Sequence, residues 1–298
     1  MSLRGEVRNI ASARNLERIS DQSDRFHRVF RGEHVRTRDK ILLHIYDLSA
    51  SDDPNADRLA SRQCETLQKL QKSSYVPRLM DSFQEVPQYP GELWYFSIVD
   101  PCAPSVAERA PDARWAVRER IFFALRAVQA LEEMHGCRLR DTQFVHRHIT
   151  PNTLLVGAGD QPIFTGFDLA RISGSITLSP NATLRGPSAA FAAPEAILDG
   201  IGGADQRSDV FSLCKTLLQL FPDSLNAESA NVASILESGI VDAPDKRVTL
   251  RSLANSLSQS LSEEDTKKPA MTQTTLLAAR FWSEGDLVAF NNEQYIGR

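Results

Sequence analysis

The apolar positions along this chain follow two regimes. Between Ile19 and Asp47 they alternate or gather in short runs. Arg28–Val35 alternates loosely, Thr37–Lys40 is a polar turn and Ile41–Tyr46 is a compact apolar run, so both flanking stretches are predicted as strands. Ser49–Asn55 is a loop rich in Ser, Asp and Pro. In Ala56–Lys72 the period changes, with Leu59, Leu67 and Leu70 at helical spacing. Strands are predicted again at Arg78–Gln84 and Leu93–Val99, on either side of the turn Val86–Gly91. Residues 1–18 are polar, carry a weak helical pattern and read as an entry segment.

Past a connector at Asp100–Pro104 the helical period dominates. Arg118–His135 sets Ile121, Leu125, Val128, Leu131 and Met134 on one stripe, and Asp205–Phe221 is a second strong helix. Shorter helices are predicted at Ala227–Glu237 and Leu250–Leu261, followed by a polar linker, Ser262–Pro269, and a terminal segment, Thr274–Arg298. Between the two long helices the period shortens once more. Thr153–Val156 and Pro162–Thr165 are joined by Gly157–Gln161, whose glycines and aspartate supply the positive φ that a tight hairpin needs. A loop flanks this hairpin on each side, Val145–Asn152 before it and Gly166-Phe167-Asp168 after it. The expected class is α+β.

Composition narrows the function classes. With 42% hydrophobic and 24% charged residues, the chain has the make-up of a folded globular protein. A formal charge of −4 argues against a nucleic-acid surface, which needs a basic stripe. No apolar run approaches the ~20 residues of a membrane span, and Met1–Arg14 lacks the apolar centre of a signal peptide. Cys64, Cys102, Cys137 and Cys214 are widely spaced with no C-x-x-C pair, so free thiols and a cytoplasmic location are expected.

The order of elements and several short motifs together resemble the protein kinase fold, in particular bacterial Ser/Thr kinase domains. His146-Arg147 opens the catalytic-loop pattern, which Pro151 and Leu154-Leu155-Val156 continue. Phe167 and Leu169-Ala170-Arg171 match the metal-binding loop and its exit, and Ala193-Pro194-Glu195 matches the end of the activation segment. Ser208–Leu213 matches the long hydrophobic helix, and Arg247 sits where the family pairs an arginine with that glutamate. The resemblance implies a bilobal fold. Its parts would be an N-terminal extension (1–18), a β-rich N-lobe with one main helix (19–100), a mostly helical C-lobe (101–261), and a linker with a C-terminal segment (262–298). That last segment is similar either to the start of a second kinase domain or to an ordinary terminal hairpin.

The same resemblance marks the positions where phosphoryl transfer needs its chemistry, and each carries another side chain. The three glycine positions over the phosphates fall on Gln22, Asp24 and His27. The strand lysine falls on His44, and its glutamate partner falls on Gln63. The catalytic aspartate becomes His148 and the phosphate-contacting lysine Thr150. The metal-binding asparagine becomes Thr153, and the metal-binding aspartate becomes Gly166. Asp168 lies two residues further, ~6–7 Å along an extended strand. By contrast, His146 and Phe167 remain, with Leu67, as members of an apolar column. Asp209 stands where the family anchors the catalytic loop, and Glu195 and Arg247 where it forms a buried pair.

These substitutions imply a pseudokinase: no catalytic residues, no metal and no cofactor. The partner would be another protein or an adjacent kinase domain in the same polypeptide, not nucleic acid or a membrane. Two alternatives stay open, a divergent ATP-using transferase employing Asp168, Asn152 and a histidine, and a sensor that binds ATP weakly without turnover. Ser173, Thr177 and Ser188 read as polar loop residues that a partner could phosphorylate.

Overall fold

Strands β1 (Asn9–Ile10), β2 (Ala13–Arg18), β3 (His27–His34) and β4 (Lys40–Asp47) come first, then helix α1 (Ala56–Lys69) and strands β5 (Leu79–Glu85) and β6 (Leu93–Val99). They form one sheet in the order β1-β2-β3-β4-β6-β5, with every neighbouring pair antiparallel. The computed structural model describes residues 9–10, 13–19, 27–48, 56–85, 93–139, 142–171, 186–222 and 227–267. Contacts divide the chain into residues 1–257 and 258–298; in the second unit the described residues, 258–267, are helical.

The alternation in β3 and β4 assigns the two faces of the sheet different tasks. Phe30 pairs with Leu43, and these two join Ala13, Ile41 and Ile45 in a buried apolar cluster that Leu16 and Met80 pack against. Each large side chain buried in this way contributes about 1.5–3 kcal/mol relative to exposure. The neighbouring register pairs, Val29 with His44 and His27 with Tyr46, point to the other face and line a cavity.

Two expectations fail at the ends of the chain. Residues 13–18, read as part of a polar entry segment with a weak helical pattern, are strand β2. Arg14, Leu16, Glu17 and Arg18 are not fully buried there, so backbone pairing with β3, through a register shift between Arg14 and Glu17, holds the strand rather than apolar burial. At the other end α7 (Leu250–Lys267) runs through most of the predicted linker. Ser, Glu, Asp and Lys are compatible with a helix, and the first breaker is Pro269. The predicted terminal segment 274–298 lies outside the described residues.

The remaining elements are α2 (Val106–Arg109), α3 (Val117–Gly136), a short hairpin of β7 (Arg138–Leu139) and β8 (Thr142–Gln143), a second hairpin of β9 (Leu154–Val156) and β10 (Pro162–Phe164), α4 (Pro194–Leu198), α5 (Gln206–Leu218) and α6 (Ala227–Glu237). The predicted α3 stripe is buried throughout, and Phe123, Ala124, Ala127 and Ala130 widen it. Buried Arg120 on the same helix donates to the carbonyls of Ala110, Asp112, Trp115 and Leu220, which ties the stretch before α3 and the end of the α5 segment to α3. Asp205 caps α5 by accepting from the amides of Arg207 and Ser208. In the β9–β10 turn the positive φ falls on Gly159 (63°) and Asp160 (53°), which are the residue types that tolerate it. Among the described residues no helix is long and apolar enough to cross a membrane.

Candidate functional site

The loop from His146 to Thr153 is held from below by one carboxylate. Asp209 on α5 accepts from the backbone amides of His146 (2.7 Å) and Arg147 (2.8 Å), and from His135 Nε2 at 2.9 Å. The two amide contacts do not depend on what residues 146 and 147 carry as side chains, and the third comes from the histidine of α3. Arg147 takes φ 68°, and the loop is closed at its far end by Thr153 Oγ1, which donates to the His148 carbonyl at 2.7 Å. His146 is fully buried against Phe167, their ring centroids 4.7 Å apart, and α1 packs against the 3-10 turn Phe167–Leu169, with Leu67 buried nearby. Burial drives the His146 imidazole down to about 4, so it is a neutral packing residue.

A second buried anchor lies further along the chain. Glu195 at the start of α4 receives both guanidinium nitrogens of Arg247 (2.6 and 2.7 Å) and the Ser208 hydroxyl (2.6 Å). Pro194 sits in the first turn of α4, where its missing N–H costs nothing. Burial works against the Glu195 carboxylate, but the Arg247 and Ser208 hydrogen bonds outweigh it and its pKa falls below the usual range. Arg147 is different: its guanidinium is buried, none of its three nitrogens has a hydrogen-bond partner among the described residues, and desolvation lowers it to about 10.

Above this scaffold is a cavity of about 660 Å³. His27, His44, Tyr46 and Gln63 form one wall, and His148, Thr153, Gly166 and Asp168 line the other. His44, at the position expected to hold a fixed cation, is buried and lies 3.0 Å from His27 through ring nitrogens. Burial and the neighbouring His27 hold its pKa well below the ordinary value, so the wall is uncharged there. Tyr46 stacks on His27 (centroids 4.2 Å) and donates its hydroxyl to Gln63 Oε1 at 2.7 Å. A neutral Tyr–Gln hydrogen bond thus joins β4 to α1 where an ion pair was sought. Gln22 and Asp24 lie outside the described residues.

The opposite wall departs from a straight-strand reading. Gly166 adopts φ 77°, and the 3-10 turn that follows folds the chain back, so Asp168 Oδ1 comes within 3.4 Å of His148 Nδ1. The two-residue offset is taken up by the left-handed glycine. A Cβ at 166 would stand 2.8 Å from Thr153 Cγ2 and 3.4 Å from His148 Nδ1, so the absent side chain makes room for the imidazole. Burial opposes charge on both partners, but their mutual hydrogen bond wins: His148 rises above its ordinary value and Asp168 falls below its own. The ring's other nitrogen, Nε2, faces Ser188 Oγ at 3.4 Å.

No protein-family model and no curated protein matches this chain. Sequence reasoning had placed His148, Gly166 and Asp168 in one region but not Ser188, 40 residues on from His148. Nor had it paired His27 with His44. Only the register of β3 against β4 could have done so, because it sets His27 opposite Tyr46, diagonal to His44 on the same face. Among the described residues no three His, Cys, Asp or Glu side chains are grouped to hold a metal ion.

Proposed function

We propose that this chain is a kinase-like domain of bilobal design that does not transfer phosphate and acts as a regulatory or docking module, toward a protein partner or an adjacent kinase domain in the same polypeptide. The observation that carries the reading is the charge state of the cleft. Phosphoryl transfer stabilises charge on a triphosphate with a fixed cation and metal-bound carboxylates. Here the sheet wall presents a neutral His44 in contact with His27 and a Tyr46–Gln63 hydrogen bond, while Asp168 is occupied by His148. The scaffolding contacts of Asp209 and of Glu195 with Arg247 are intact, which supports a domain kept for its shape. All four cysteines are free thiols, which supports the cytoplasmic assignment.

The cavity still has room for a small molecule, which keeps the nucleotide-sensor reading as the second one. A thermal-shift titration with ATP, with and without Mg²⁺ or Mn²⁺, run beside a radiolabelled phosphotransfer assay, distinguishes these readings. The expected result is no metal-dependent stabilisation and no transfer. Metal-dependent stabilisation with transfer overturns the proposal, and stabilisation by ATP alone assigns a sensor.

A further inference from the structure

We propose that Ser188, His148 and Asp168 form a nucleophilic relay through which Ser188 is acylated by small apolar carboxylic esters. The two ring nitrogens of His148 face different partners, Nδ1 the Asp168 carboxylate and Nε2 the Ser188 hydroxyl, each at 3.4 Å. A carboxylate at Nδ1 keeps the proton there and turns the Nε2 lone pair toward the hydroxyl, and such contacts are loose before substrate binds. The ring is not placed by accident. Its backbone is pinned through Thr153 and the adjacent amides through Asp209, and Gly166 leaves the space it fills. Desolvation alone would lower the basicity of His148, but Asp168 more than offsets it, leaving a base that titrates above its ordinary value.

Ser188 also stands where a substrate could reach it. Together with Thr150 and Asn152 it lines both the 660 Å³ cavity and a second one of about 440 Å³. The second is walled by Ala107, Ala110, Pro111, Phe191 and Pro222, an apolar surface suited to a short acyl chain. This chemistry needs neither a fixed cation nor a metal, so it survives the substitutions that remove phosphoryl transfer.

The steps balance with water as the only co-reactant. Ser188 Oγ bonds to the ester carbonyl carbon as His148 Nε2 takes its proton. The tetrahedral adduct expels the alkoxide, which leaves as the alcohol with that proton, and the acyl group stays on Ser188. Water then attacks the acyl carbon while giving a proton to His148, and the proton returns to Ser188 Oγ as the acid departs. Asp168 is a positioning residue throughout.

The test is incubation of the folded chain with a fluorophosphonate probe, which bonds Ser188 Oγ to phosphorus as fluoride leaves. Peptide mass spectrometry locates the adduct, and p-nitrophenyl butyrate hydrolysis is followed in parallel. The expected result is one adduct on Ser188, abolished in Ser188→Ala and slowed about 10²-fold or more in His148→Gln, in line with the loss of a general base. Asp168→Asn slows labelling, and Asp168→Glu restores part of it. Melting curves confirm that each variant is folded; if His148→Gln is not, the Asp168 pair and Ser188→Ala carry the result. No adduct on Ser188, an adduct elsewhere, or labelling equal in heat-unfolded protein overturns the proposal.

Discussion

Replacing Gly166 by alanine tests whether the cleft geometry depends on an absent side chain. The left-handed conformation at φ 77° costs a residue with a Cβ about 1–2 kcal/mol. The added carbon would also sit 2.8 Å from Thr153 Cγ2, an overlap that must be relieved by moving a threonine whose hydroxyl holds the loop. Overpacking of this kind costs about 1–3 kcal/mol, so the total is about 2–5 kcal/mol. At roughly 2–4 °C per kcal/mol for a domain of this size, the melting temperature should fall by roughly 4–20 °C. A Thr153→Ser change removes the offending methyl and keeps the hydroxyl. The double variant should therefore recover roughly 1–2 kcal/mol relative to the sum of the single changes, the sign of a direct contact. Calorimetry or denaturant titration of the four proteins gives the coupling. If Gly166→Ala melts within about 1 °C of the parent, or Thr153→Ser brings no relief, the account of Gly166 is wrong.

Two further outcomes follow from the buried anchors. Below pH 6.5 the unfolded chain takes up a proton at His146 that the folded protein refuses until about pH 4, so stability falls as the pH drops through that window. The loss is on the order of 3 kcal/mol; denaturant titrations from pH 7 to pH 4 should show a shallower decline for His146→Phe, and parallel curves would refute the assignment. Arg247→Met should destabilise by about 3–5 kcal/mol because it leaves the Glu195 carboxylate with only the Ser208 hydroxyl and the nearby carbonyls without their donor. In the Glu195→Gln background the same change should cost less, and equal costs in both backgrounds would show that the pair is not coupled.

Where the hydrophobic period was strong, the elements were legible. The stripes of α3 and α5, the apolar run of β4 and the β9–β10 hairpin appear within a few residues of their predicted limits. Elements held by backbone pairing or by a local cap were not. Strand β2 lacks a buried apolar pattern, although Ser105 and Glu108 carried a readable capping box for α2. The site was half legible for the same reason. Motif spacing located His146, Phe167, Asp209, Glu195 and Arg247, because those residues serve contacts fixed by the backbone course. It could not foresee that a left-handed Gly166 returns Asp168 to His148, or that the segment after residue 185 brings Ser188 to the same ring.

The Asp209 knot has a consequence for how such a loop can change over time. Asp209 grips peptide N–H groups, which nearly every amino acid supplies, so the start of the loop is set independently of the side chain at 148, while the Thr150 and Thr153 side chains hold its far end. The shape of the loop's start comes from α5, and its far end from the Thr153 hydroxyl. A loop held in this way can change the side chain at 148 without losing its course, and the residue on which that course depends is the buried carboxylate beneath it.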